Sequence, residues 1–227
     1  MNTRGLLDQL LKSGQQLLEK QGGASKAGGA AGGLGGLLSG AGGGLLGGGA
    51  LGLLLGSKKA RKYGGKALTY GGLAALGVLA YKAYGNWQAN QRVATAEPQT
   101  VDRLPPAQAE QHSQAVLRAL VAAAKSDGHI DERERALIEG EFTRLDSDRE
   151  LQHWLHAELN KPLDPAEVAR AAQTPEMAAE MYLASVLMVD QENFMERAYL
   201  DELARQLRLD PALRQELESQ ARIAAGQ

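Results

Sequence analysis

The leucines of "MNTRGLLDQLLKSGQQLLEKQGG", at 6, 7, 10, 11, 17 and 18, share one stripe of a helix, and Asp8, Lys12 and Glu19 break the run. This spacing predicts an amphipathic helix within residues 1–27 and no signal-peptide h-region. Such a helix suits a membrane surface or a partner, or is a short helix frayed at the chain end. The next stretch, "GGAAGGLGGLLSGAGGGLLGGGALGLLLG" over 28–56, holds no charge, aromatic or proline and places glycine at every fourth position. In water each interior glycine costs a helix about 1 kcal/mol. In lipid, unpaired backbone groups make helix nearly the only exposed option, and four-spaced glycines let a second backbone approach. Residues 28–56 therefore read as a membrane-associated or re-entrant helix, with a flexible spacer as the alternative.

A denser apolar run follows. Ala67 to Tyr81 is uncharged between Lys66 and Lys82, and Tyr63, Tyr70, Tyr81, Tyr84 and Trp87 stand toward its ends. Lysines that snorkel and aromatics at both ends are the marks of a spanning helix, expected here over 67–84, with a buried helix of a water-facing domain as the alternative. Ala67, Gly71 and Ala75 add a track of small residues for close helix contact. The basic loop 57–66 supplies Lys58, Lys59, Arg61, Lys62 and Lys66. By the positive-inside rule it stays cytoplasmic, and a spanning 67–84 sends the C-terminal half to the periplasm.

Charge divides the chain at the same place. Residues 1–97 hold eleven Lys and Arg against three Asp and Glu, whereas 98–227 hold fourteen against twenty-four. The basic half fits an anionic membrane surface, and the acidic half argues against nucleic acid. No cysteine is present, which removes disulfides, thiolate ligands and thiol nucleophiles.

A linker over 85–106 carries the prolines of "ATAEPQTVDRLPPAQAE", and a domain over 107–227 follows that reads as helices without strands. Helix starts are marked by Asp131 with Glu134, a D-x-x-E capping box, and by Asp164-Pro165, Thr174-Pro175 and Asp210-Pro211. A second box, Asn193 to Glu196, opens a further helix. The fold class expected is all-α, a membrane-anchored N-terminal region followed by a bundle of roughly seven short helices.

Candidate chemistry is confined to acidic turns. "AKSDGHIDERE" matches the later half of a calcium loop, but its first two ligand positions fall on Ala123 and Lys125, so an ordinary EF-hand is excluded. Asp127, Asp131 and Glu134 could still hold a divalent cation with a second segment. "MVDQENFMERAYL" repeats the pattern 62 residues on, with Asp190 and Glu196. Two such turns facing one another would gather oxygen ligands suited to Ca²⁺, Mg²⁺ or Mn²⁺. The competing reading makes the same residues helix caps and turn formers. His153 and His156 lie three apart without an assignable partner, His112 stands alone, and no serine has a nucleophile-elbow context. The chain is expected not to be an enzyme.

"ARKYGGKAL", "AAAKSDGHIDERERALIE", "KPLDP" and "DQENFMERAYLDELA" together resemble the YebE inner-membrane protein family, whose C-terminal domain is similar to TerB, the tellurite-resistance domain. The resemblance covers most of residues 57–220 and implies a TerB-like helical fold. It also implies suspected metal ligands at Asp127, Glu134, Asp190 and Glu196, although the second turn reads Asp190-Gln191-Glu192 where the first has Asp-Gly. The expected role is a non-enzymatic interaction or metal-responsive module at the inner membrane in envelope stress. The alternative is a structural protein that forms homo-oligomers through its glycine-spaced helix, with the helical domain docking a protein partner.

Overall fold

The computed structural model describes residues 3–8, 67–91, 97–127, 136, 139–140, 148–189 and 193–225, with the side chains of 67–72 and 225 left aside. Eight helices and no strand occur among the described residues: α1 over 3–8, α2 Ala67–Gln91, α3 Pro106–Ala124, α4 Arg149–Asn160, α5 Pro165–Ala169, α6 Pro175–Met188, α7 Phe194–Gln206 and α8 Pro211–Ala225.

Helix starts are fixed locally by side chains that accept the first free N–H groups. The Asp164 carboxylate accepts from Ala166 N at 2.9 Å, Thr174 Oγ1 from Met177 N at 3.1 Å, and Asn193 Oδ1 from Met195 N at 2.9 Å. Asp210 accepts from Ala212 N at 2.8 Å and Leu213 N at 3.2 Å. Proline at the first position of α5, α6 and α8 presets the helical φ where no N–H is needed. Asp148 caps α4 in the same way, accepting from Glu150 N at 2.9 Å.

Helix α6 is the centre. Every residue from Met177 to Met188 is buried, including Tyr182 and Glu180. Helices α2, α3, α7 and α8 pack around it, while α5 bridges α3 and α7 and α4 leans on α3. Helices α3 and α6 run antiparallel: His112 meets Glu180, and farther along α3 Arg118 shares a cavity with Gln173, which precedes α6.

The segment expected to span a membrane, 67–84, lies within α2, and no helix among the described residues is long and apolar enough to cross one. Leu73, Leu76, Ala80, Ala83 and Tyr84 are instead buried in the common core. Helix α2 lies antiparallel along α8, where Asn86 Nδ2 donates to Glu216 Oε1 at 2.6 Å and Trp87 Nε1 to Asp210 Oδ1 at 3.1 Å. Of the aromatics read as interfacial anchors, Tyr81, Tyr84 and Trp87 have protein partners, and Tyr63 and the Tyr70 side chain lie outside the described residues. Tyr84 is 6% exposed, and the Arg103 guanidinium sits 3.7 Å from the centre of the Tyr81 ring. Small residues and leucines serve a lipid-facing helix and one packed among other helices alike; here Leu73, Leu76 and Ala80 pack in the common core.

Residues 85–106, expected as a linker, contain the last turns of α2 and a packed turn over 97–105. There Thr100 and Val101 are fully or almost fully buried. Two leucines of the N-terminal stripe, Leu6 and Leu7, join the same core, and Leu10, Leu11, Leu17 and Leu18 lie outside the described residues. The glycine ladder 28–56 and the basic loop 57–66 lie outside the described residues.

Candidate functional site

The acidic turns come first. Asp127 is exposed in the turn that ends α3, and Glu196 is half-buried in the first turn of α7. Because α3 and α6 are antiparallel, their C-terminal ends point opposite ways. Asp127 follows one end, and Asn193 to Glu196 follow the other. The fourteen residues of α6 separate those ends by about 20 Å of helix, whereas oxygen ligands must stand within about 2.6 Å of a shared cation. By this geometry Asp127 and Glu196 stand toward opposite ends of α6. Glu196 Oε1 accepts from Asn193 Nδ2 at 3.4 Å. Among the described residues no group of three or more His, Cys, Asp or Glu is placed to hold a metal ion. Asp131, Glu134 and Asp190 lie outside the described residues.

His153 and His156 are both exposed on α4, but His156 Nδ1 lies 2.7 Å from Glu139 Oε1 and is thus engaged by a carboxylate. His112, which the sequence leaves alone, has the most enclosed polar partner of the fold. Its Nδ1 lies 2.5 Å from Glu180 Oε2, and both side chains are almost wholly buried. Val101 N donates to Glu180 Oε1 at 2.6 Å, so one carboxyl joins α3, α6 and the 97–105 turn. Burial pushes the Glu180 carboxyl above its usual range, against the opposing pull of His112 and the Val101 N–H; the nearby Asp102 charge adds to the rise. Sixty-eight residues separate the pair, and only the periodicity of α6, where Glu180 interrupts an apolar helix, hinted that this acid needed an internal partner.

A second convergence lies at the N-terminus. Glu110 of α3 accepts from Thr3 N at 2.6 Å and Arg4 N at 3.1 Å, capping α1 from outside. Burial alone would raise the Glu110 carboxyl, but these N–H donors outweigh it and hold the group below the usual carboxylate range. At the other end of α1, Asp8 Oδ1 accepts from Leu73 N of α2 at 3.4 Å.

Comparison with known proteins agrees in extent. A protein of Yersinia enterocolitica described as an uncharacterized protein in the ampR 5' region is 35% identical over 126 residues, which cover 56% of this chain and 89% of that relative. No solved structure matches the chain. The DUF533 family, described as a protein of unknown function, matches residues 40–221, a span that takes in part of the glycine ladder, the basic loop and α2 to α8. By that match the chain belongs to the DUF533 family.

Proposed function

We propose that the chain is a non-enzymatic interaction module of TerB type, held at the bacterial inner membrane by the glycine-rich segment 28–56 entering and leaving the bilayer on one face. The observation that carries this reading is the Asp8–Leu73 contact together with the burial of Leu6 and Leu7. It ties both ends of the intervening stretch to one domain, so a segment that crossed once would have to part residues that touch. The stretch itself is apolar and uncharged from 28 to 56, and in lipid its backbone would have to be helical or shielded by protein. Inclusion of residues 40–56 in the family match supports their being part of the working protein. Lys58, Lys59, Arg61, Lys62 and Lys66 then stand between the bilayer and α2, and the positive-inside rule gives them, and the domain with them, the cytoplasmic side. This replaces the periplasmic placement that a spanning 67–84 required.

The absence of cysteine from the chain makes the test direct. Ser25→Cys, Ser57→Cys and Ser147→Cys, made one at a time, are labelled with a membrane-impermeant maleimide in intact spheroplasts and after lysis. All three are expected in the membrane fraction and labelled only after lysis. Residues 25 and 57 on opposite sides overturn the re-entrant path, and recovery of the protein free of membrane overturns attachment.

A further inference from the structure

The strongest unassigned feature is a cavity of about 440 Å³ bounded by α1, α3, α4 and the chain between α5 and α6. Its size falls within the range of small-molecule pockets, about 300–1,000 Å³. Leu117, Leu151, Ala115 and Ala171 give it an apolar floor, and Trp154 adds an aromatic wall. Its polar lining is Arg118, Arg170, Thr3 and the carboxamides of Gln111, Gln114 and Gln173. Among the described residues no acidic side chain lines it, although residues 98–227 hold twenty-four Asp and Glu.

The two guanidinium groups have spare capacity. Arg118 lies 3.5 Å from Glu158 Oε1 through its Nε, yet that buried Nε makes no hydrogen bond. Its guanidinium carbon lies 5.8 Å from the centre of the Trp154 ring. Arg170 is exposed, with no carboxylate at ion-pair distance among the described residues. A planar guanidinium recognises a carboxylate through paired N–H donors and stacks on flat rings, which a lysine cannot do. Gln111 also makes no hydrogen bond among the described residues and is able to donate or accept.

From this lining we infer that the cavity binds a small organic carboxylate with a flat apolar body, the carboxylate held by Arg118 and Arg170 and the body against Trp154, Leu117 and Leu151. An inorganic anion would leave the apolar floor unused. A neutral aromatic would leave the guanidinium groups without their acceptor. The net negative domain around the cavity repels anions at long range, so occupancy depends on these local contacts.

Isothermal titration of the full-length protein tests the inference, with 2-naphthoate as probe, 2-naphthamide as its neutral counterpart and inorganic phosphate as an anion without apolar body. Saturable binding of 2-naphthoate is expected, at least about tenfold tighter than either comparison compound. Arg170→Gln, at an exposed site, is expected to weaken it about tenfold while thermal unfolding stays unchanged. Arg118→Gln is expected to do the same, with folding checked by circular dichroism. No saturable heat with 2-naphthoate up to about 5 mM overturns the inference. So does equal binding of the amide, equal binding of phosphate, or undiminished binding to Arg170→Gln.

Discussion

Gly77 of α2 and Asp102 of the 97–105 turn touch so closely that a Cβ on the glycine would lie 2.4 Å from Asp102 Oδ1 and 3.0 Å from its backbone nitrogen. The side chain can swing aside, but the backbone nitrogen cannot move without dislodging Val101, whose N–H is bonded to Glu180. Gly77→Ala is therefore expected to lose about 1–3 kcal/mol of unfolding free energy, overpacking outweighing the helix propensity gained. Gly85 on the same helix has nothing within 4 Å of its Cβ position. Gly85→Ala should gain about 0.5–1 kcal/mol. Urea denaturation of both variants checks the pair, and equal signs would refute the close-packed contact.

Glu180 gives a pH signature. Its carboxyl is raised by burial, so its contribution to stability is fully present below the ordinary carboxylate range and is lost as pH rises through its folded pKa. Glu180→Gln keeps an acceptor for Val101 N–H and a donor toward His112 without a titrating group. Relative to wild type, this variant should gain stability steadily as pH is raised from 4 toward 8. Denaturant midpoints across that range report the difference; a constant offset would mean that Glu180 is not the titrating group.

Glu110 has the opposite sign. Held below the usual range, it stabilises the docked N-terminus above that range and ceases to do so as pH falls through its lowered value. Protection factors for amide exchange at residues 3–8 should fall on acidification before the core opens. Glu110→Gln should bring that fall to neutral pH. Leu7→Ala, at a side chain 1% exposed, should destabilise the docked segment by about 2–4 kcal/mol. Exchange at 3–8 that does not respond to any of the three would show that Glu110 and Leu7 do not hold the segment.

Asp127 and Glu196 should act independently. Asp127→Asn and Glu196→Gln, combined in a double-mutant cycle with thermal stability read in millimolar Ca²⁺, Mg²⁺ or Mn²⁺, should add within about 0.5 kcal/mol. A larger coupling that appears only with an ion would show that the two share a cation.

The starts of α5 to α8 were legible because each is written within a few residues: Asp164, Thr174, Asn193 and Asp210 meet N–H groups two or three positions away. The place of α2 was not, since Leu73, Leu76 and Ala80 satisfy lipid and a protein groove equally. The deciding contacts reach from Asn86 to Glu216 and from Trp87 to Asp210. Asp127 and Glu196 follow helices that run opposite ways, and sequence spacing alone carries no direction. His112 was misjudged for a similar reason, because its partner is fixed by how α3 lies on α6. Arg118, Trp154 and Arg170 come from three separate segments, and nothing in their local sequence announces a common cavity.

Helix α6 has no outward side: from Met177 to Met188 each side chain is enclosed. Such a mandrel cannot stand until the strands of rope around it are wound, and one of those is α2, which enters before residue 107. A protein trimmed to residues 107–227 would lack the α2 cover along one flank of α6 and should clump or melt. Helix α2 is thus scaffold for α6, and a cut before residue 107 is expected to leave no self-sufficient piece.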